Sequence, residues 1–294
     1  MRKKILFFFI ALFAATFCFV SADKEPVTAK SFFDQGIVLY NQGKYAEAVN
    51  CFDQAINLDS KYKDAYLKKG IALYHLESYQ ESVSCMDKLI ILDDKHIDAY
   101  KYKGLDFYYL GNIKTALQCF DKMIELEPNN FEGYDNKAMC FNREGKFDDA
   151  ISNADKSIQL KPDSYFSYNQ KGVALHNLKK YQEAISNFET AVKLAPNISD
   201  FSVNNGLSYL MLGKYDDAIK HLKLAIEKKS TKAEAYRLLG CCYSAKNELD
   251  NAIANLKKAM ELDPRMKNRI RNDEMYTNLL DNIKHDSKYK ELFK

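Results

Sequence analysis

The side chains able to do chemistry are few and mostly isolated. Five histidines, His75, His96, His176, His221 and His285, are scattered along 294 residues. A metal site or a general-base site needs several donors converging at fixed spacing. The chain has no H-E-x-x-H helix, no glycine-rich phosphate loop and no G-x-S-x-G nucleophile turn. Only the cysteines are regularly placed: Cys51, Cys85 and Cys119 lie 34 residues apart. If that interval is one layer of stacked helices, equivalent positions stand ~10 Å apart, beyond the ~7 Å between Cα atoms that a disulfide bridges. The three read as small packing residues, and so do Cys140 and Cys242. Cys241 beside Cys242 leaves a strained vicinal disulfide as the alternative. No catalytic residue, metal ligand or cofactor is expected.

The interval of 34 reaches far beyond the thiols. Gly36, Gly70, Gly104, Gly172, Gly206 and Gly240 are separated by 34 or 68, as are Pro128, Pro162, Pro196 and Pro264. Ala48, Ala116, Ala150, Ala184, Ala218 and Ala252 share a third phase, and Phe52, Phe120 and Phe188 a fourth. With Ala29 as position 1, seven uninterrupted units run 29–62, 63–96, 97–130, 131–164, 165–198, 199–232 and 233–266. Ten of the eleven glycines fall on positions 8 and 15, and four of the five prolines on position 32.

Each position has a physical reason. Positions 2–14 and 17–30 predict two helices of about four turns per unit. In unit five, Tyr168, Gly172 and Leu175 share one face, and Ala184, Phe188 and Ala191 share one face of the second helix. Gly at 8 and Ala at 20 and 27 let the helices approach closely, and the ring at 24 fills the remaining space. Gly at 15 suits a left-handed residue ending the first helix. Pro at 32 cannot continue the second.

This pattern resembles the tetratricopeptide repeat over 238 of the 294 residues. The resemblance implies an all-α fold: a right-handed superhelical solenoid of stacked antiparallel helix pairs, first helices lining the concave side. Departures are local. Trp is absent, and position 4 holds Phe32, Tyr66, Tyr100, Tyr134, Tyr168 and Tyr236. Unit two has Ser82, Met86, Leu89 and Asp94 where Ala, Phe, Ala and Pro are usual; unit four has Ala154 and Ser157; unit six has Ser202, with Phe201 as a substitute ring. These units are expected to be the less rigid joints. Residues 267–294 predict a C-terminal capping helix, with Met275, Tyr276, Leu279, Leu280 and Ile283 as its apolar stripe.

The resemblance places a partner along the first helices. There Phe33, Ile37 and Tyr40, then Leu67, Ile71 and Tyr74, then Lys101, Leu105, Tyr108 and Tyr109 repeat one apolar stripe across three units. Unit four turns polar with Asp135, Asn136, Asn142 and Arg143. The family's carboxylate clamp of Lys, Asn and Arg is absent, since the corresponding positions hold Phe33, Ile37, Lys68, Asp98 and Tyr102. The expected ligand is therefore a partner helix or extended peptide seated on tyrosines, whose rings are apolar and whose tips are polar. Positions 9 and 12 packing against neighbouring units is the competing reading, as is a groove filled by the chain's own ends or a second copy.

Residues 1–22 read as a secretory signal: basic Arg2, Lys3 and Lys4, an apolar run Ile5–Val20, then Ser21-Ala22. Sixteen helical residues span ~24 Å against a ~30 Å bilayer core, so cleavage is favoured over an anchor at residues 5–20. Residues 23–28 are a linker. Six further cysteines without framework spacing are unusual for an oxidising compartment. Lys+Arg total 43 and Asp+Glu 40, and the leader holds three of the bases and no acid, so the remainder is neutral. Nucleic acid is not an expected partner of a chain with no basic surplus. The repeats leave 28 residues at each end, too few for a catalytic domain. The expected function is an exported, non-enzymatic scaffold in a periplasmic, secreted or secretory-lumen setting. A membrane-tethered assembly factor, or the regulatory subunit of an enzyme on another chain, is the alternative; self-association is compatible with each.

Overall fold

A computed structural model describes residues 28–229, 231–272 and 279–292. The leader and two of the cap's apolar residues, Met275 and Tyr276, lie outside them. Every described element is an α-helix. First helices are α1 (Ala29–Asn41), α3 (Lys63–His75), α5 (Ile97–Tyr109), α7 (Phe131–Glu144), α9 (Tyr165–Asn177), α11 (Ser199–Met211) and α13 (Ala233–Ala245). Second helices are α2 (Tyr45–Leu58), α4 (Tyr79–Leu92), α6 (Ile113–Leu126), α8 (Phe147–Leu160), α10 (Tyr181–Leu194), α12 (Tyr215–Lys228) and α14 (Leu249–Leu262). Six of the first helices occupy positions 1–13 and α7 runs one residue further; all second helices occupy 17–30.

The chain divides into two compact units, residues 1–102 and 103–294. In the first, α1 packs on α2, α2 on α3 and α3 on α4. The second continues the same alternation from α6 to α14. First helices also touch one another: α1 with α3 in the first unit, and α7, α9, α11 and α13 in sequence in the second. That sets one wall of each unit from first helices alone.

Position 15 ends every first helix in the left-handed region: Gly43, Gly111, Gly145 and Gly213 at φ 71–82°, and Glu77, Lys179 and Asn247 at 60–62°. The next amide then bonds back five residues, as Lys180 N–H does to the Leu175 carbonyl at 2.9 Å and Ser78 to Leu73 at 2.9 Å, closing a Schellman motif. A Cβ in this region costs about 1–2 kcal/mol. Lys179→Gly is therefore expected to raise stability by about 0.5–1 kcal/mol, net of the glycine's greater unfolded-state freedom. A chemical-denaturation midpoint that falls instead would contradict this.

The small–large pairing across each hairpin is steric. A Cβ built on Gly36, Gly104 or Gly172 would lie 2.5–3.0 Å from ring atoms of Phe52, Phe120 or Phe188. Repeat four exchanges both partners, with Ala138 facing Ala154, and both are fully buried. Repeat two replaces the ring by Met86 and position 20 by Ser82, whose hydroxyl donates to the Gly70 carbonyl at 3.0 Å. In repeat six Ser202 and Phe201 are both buried, and Phe201 packs on Tyr165 at 5.8 Å.

Two repeating devices add to this frame. The position-4 hydroxyls of Tyr66, Tyr100 and Tyr134 donate to the carbonyls of Ser60, Asp94 and Pro128 at 2.9–3.3 Å. They tie each first helix to the turn before it. Position 7 lysines pair with the position 25 aspartates of the preceding repeat: Lys69–Asp53, Lys137–Asp121 and Lys171–Asp155, each at 2.6 Å. These pairs are partly exposed and contribute little individually, about 0.2–1 kcal/mol.

At the C-terminal end, α15 (Met266–Asn272) buries Met266 and Ile270, and Leu280 and Ile283 follow into the same apolar cluster as Leu238, Leu239 and Leu256. Leu279 packs against it from the edge. The last described helix is α16 (Ser287–Glu291).

Candidate functional site

In the first unit the first-helix wall is aromatic. Phe33 is half-buried, tilted against Phe52 at 5.7 Å and Tyr62 at 5.0 Å. Ile37 and Tyr40 pack against Ala48, Phe52 and Ala72. The Tyr40 hydroxyl lies 3.0 Å from His75 Nε2, and Tyr45 stacks on the same imidazole at 4.7 Å and 14°. Tyr74 sets its edge against His75, Tyr79 and Tyr102 at 5.7–5.9 Å. Such edge-to-face pairs add about 0.5–1.5 kcal/mol each beyond area burial, so the rings are held in place before any ligand arrives. Burial, then the neighbouring Tyr102 and Tyr45, raises the Tyr40 phenol above its ordinary pKa, and the hydroxyl stays neutral.

The other expected contacts divide. Leu67 is half-buried against Met86, Leu89 and Ala99, while Ile71 is only 6% exposed and belongs to that core. Position 9 in repeat two therefore serves packing, as the competing sequence reading allowed. Lys101 extends over Tyr102 at 5.9 Å.

In the second unit Leu105 and Tyr108 are half-buried and Tyr109 is 47% exposed. A cleft of about 470 Å³ is lined by Tyr108, Tyr109, Met139, Asn142, Arg143 and Gln170. The Arg143 guanidinium sits 4.6 Å over the Tyr108 ring and donates to that residue's carbonyl. Tyr109 meets Tyr108 edge-on at 5.4 Å. Asn142 donates to both the backbone and side-chain oxygens of Gln170, each at 2.9 Å.

Further along, Asn204 donates to Asn169 at 3.0 Å. The Ser208 hydroxyl donates to the Asn204 carbonyl and lies 2.8 Å from His176 Nδ1, which assigns the imidazole proton to Nδ1. Burial pushes His176 below its ordinary pKa, so this network is uncharged at neutral pH.

Asp135 does not join the polar part of the groove. It is 5% exposed and faces the seam, accepting from Ser164 Oγ at 3.0 Å and from Ser167 Oγ, which also lies 2.9 Å from Ser157 Oγ. Asn136 is buried as well. Sequence spacing gives the helical face but not the serines that turn a carboxylate inward. The amide bridges between α7, α9 and α11 were also missed. Their signal was the amides at position 6 of units four to six, Asn136, Gln170 and Asn204, with Asn169 at position 5 and Asn142 at position 12.

Among the described residues no three His, Cys, Asp or Glu side chains converge on a metal site, and no helix is long and apolar enough to cross a membrane. Cys140 and Cys242 are fully buried in the packing, and burial pushes the Cys140 thiol up to about 12.

Family profiles described as TPR or tetratricopeptide repeats match residues 36–76, 169–233 and 233–266, and one described as anaphase-promoting complex, cyclosome, subunit 3 matches 110–191. No curated protein matches the chain. Among solved structures, the APC/C hetero-tetramer Cut9–Hcn1 is similar at 19% identity and a TM-score of 0.72, covering 84% of this chain and 47% of that one. The chain thus spans about half the length of that relative. A tetratricopeptide repeat protein from Parabacteroides merdae gives 16% and 0.65, covering 86% of this chain and 98% of that one. PilF from Pseudomonas aeruginosa gives 16% and 0.61, covering 72% and 97%. At these identities the likeness is one of fold.

Proposed function

The chain belongs to the tetratricopeptide-repeat family, the fold of a protein–protein interaction scaffold, and on that premise we propose that it is non-enzymatic and holds a partner helix or extended peptide along its first helices. The observation that carries this is the aromatic wall of the first unit. Tyr40 and Tyr74 present half-buried rings already fixed by Tyr45, Tyr79, Tyr102 and His75. Pre-ordered rings lose little entropy on binding, and interface aromatics carry a large share of affinity. The cleft around Tyr108 and Tyr109 supplies a second anchor in the second unit.

Tyr74→Ala with Tyr108→Ala should leave helicity nearly unchanged and weaken capture of the partner several-fold or more. The partner would be recovered on the immobilised chain, identified by mass spectrometry, and its binding titrated. Unchanged affinity in the double variant would reject the first-helix wall as the site.

Export is part of the same reading and rests on the leader sequence. Retention of residues 5–20 as an anchor is its rival. N-terminal sequencing of the cellular product separates them: a start at Asp23 supports export, and an intact Met1 supports the tether.

A further inference from the structure

The cleft of the second unit is lopsided in its chemistry. Tyr108, Tyr109, Met139 and Val173 give it apolar walls, and its polar groups are Asn142, Arg143 and Gln170. None of these is acidic. Arg237, Arg265 and Arg269 are each paired with a carboxylate at 2.6–3.1 Å. Arg143 instead meets the ring and the carbonyl of Tyr108 and, among the described residues, no carboxylate. Its neighbour in the chain, Glu144, is engaged by Lys146 at 2.9 Å, and Asp135 on the same helix is turned into the seam. Position 13 carries a permanent charge in repeat four alone; the other repeats place Asn41, His75, Tyr109, Asn177, Met211 and Ala245 there.

The donors of this site are only partly used. A guanidinium carries five N–H groups in a planar fork. One of them goes to the Tyr108 carbonyl at the end of α5, and stacking over the Tyr108 ring fixes the plane without consuming another. Arg143 is exposed, so the rest of the fork is open to a ligand. Asn142 occupies the side-chain oxygen of Gln170 at 2.9 Å, and what Gln170 offers the cleft is therefore its N–H2 end. A fixed positive charge and unspent donors thus stand beside apolar surface. A carboxylate takes two parallel N–H bonds from such a fork. An apolar side chain next to that carboxylate has Met139, Val173 and the 47% exposed Tyr109 to pack on.

We propose that this cleft selects an acidic residue: the partner peptide sets an Asp or Glu side chain on Arg143 and an adjacent apolar side chain against Tyr109, Met139 and Val173. This rests on the reading of the first helices as a peptide-binding wall and adds the sign of the charge that the wall accepts. Positions 12 and 13 are not those of the family's carboxylate clamp, and the acid is a side chain within the peptide. Because the guanidinium is exposed, the pair selects the partner more than it holds it, and a basic residue in the same place is repelled.

A displayed library of random dodecapeptides, selected on the immobilised chain, tests this. Enriched peptides are synthesised with acetylated and amidated ends, so that their only carboxylates are side chains, and titrated by fluorescence anisotropy. They should carry Asp or Glu beside an apolar residue. Exchanging that acid for Gln should weaken binding ~3-fold or more, and the loss should shrink as salt is raised. Arg143→Glu should weaken the acidic peptide ~10-fold or more and favour the same peptide with Lys in place of the acid. That reversal is not produced by lost packing on Tyr108. Arg143→Lys should keep the preference for acid at lower affinity, since an ammonium lacks the fork. Peptides with no acidic preference whose binding falls in the Tyr74→Ala, Tyr108→Ala variant would leave the first-helix wall standing and overturn this proposal. An acidic preference untouched by Arg143→Glu would overturn it too, and enrichment of no peptide would overturn both.

Discussion

Phe188→Ala is expected to lower the unfolding free energy by about 3–5 kcal/mol, and Gly172→Ala, harmful alone, is expected to recover part of that loss when added to it. Phe188 is 1% exposed, and its ring occupies the space that a Cβ on residue 172 would enter. In the native background the methyl at 172 has ring atoms at 2.6–3.0 Å. A buried ring offers no flexible end to swing aside, so overpacking of about 1–3 kcal/mol exceeds the ~1 kcal/mol that Ala gains over Gly in a helix. Without the ring the clash vanishes and only the helix gain and partial cavity filling remain. The pair should therefore couple favourably by about 2 kcal/mol, within the range seen for residues in contact. Repeat four already contains the double variant as Ala138 and Ala154, both fully buried. Gly70 provides a control. Its opposite number is the terminal methyl of Met86, which can rotate away, so Gly70→Ala should cost less than Gly172→Ala. Urea unfolding of the four proteins of the cycle measures the coupling, and simple additivity would mean that the ring and the glycine are not filling one space.

The coupling also shows why so much of the fold was legible in the sequence. Backbone facts repeat: a left-handed residue at 15, a close approach at 8, a stop after 30. Each constrains residue type in nearly every unit, so the period exposes it. Helix limits followed to within one residue. Glu77 and Lys179 show that the geometry persists where glycine is missing, because seven identical Schellman closures are set by the stacking and not by one residue. What the period hides is which neighbour a side chain chooses. Asp135 and Asn142 are both polar and both on a first helix, but Ser164 and Ser167 draw one into the seam while Gln170 holds the other at the cleft. Ile71 and Ile37 occupy the same position, yet Ile71 is buried with Ala99 and Leu89 and Ile37 is not. The Lys–Asp pairs of positions 7 and 25 recur at a 16-residue spacing that the sequence reading did not use.

The second large effect lies in repeat seven, where the polar groove gives way to an internal ion pair. Arg237 is 1% exposed and donates to both carboxylate oxygens of Glu234 at 3.0 and 2.6 Å. Arg269, from α15, reaches the same carboxylate at 3.1 Å. Arg237→Ala removes a fully buried stem and leaves Glu234 with one exposed partner, so a loss of about 3 kcal/mol is expected, the low end for breaking a buried pair. Arg237→Met with Glu234→Gln should lose much less than Arg237→Met alone, because no unpaired carboxylate remains. The pH dependence identifies the cause. Burial pushes Glu234 up, but the Arg237 hydrogen bonds and charge, with Arg269 and Lys232, outweigh it and hold the carboxyl below its ordinary 4.5. A depressed folded pKa gives stability that is whole above the unfolded value and is lost as pH falls through the folded one. The gap between the wild type and Glu234→Gln should thus be constant from pH 7 to about 5 and close below about 4.5. Asp135 supplies the opposite sign. Burial raises it above 3.8 despite the hydrogen bonds from Ser167, Ser157 and Ser164, so its stabilising share is whole below 3.8 and is lost as pH rises through the folded value. Asp135→Asn should therefore match or exceed wild-type stability at pH 7 while Glu234→Gln falls short of it. If both variants instead shift in parallel across the titration, the difference between a carboxylate caged by serines and one held by arginines does not govern the stability of this array.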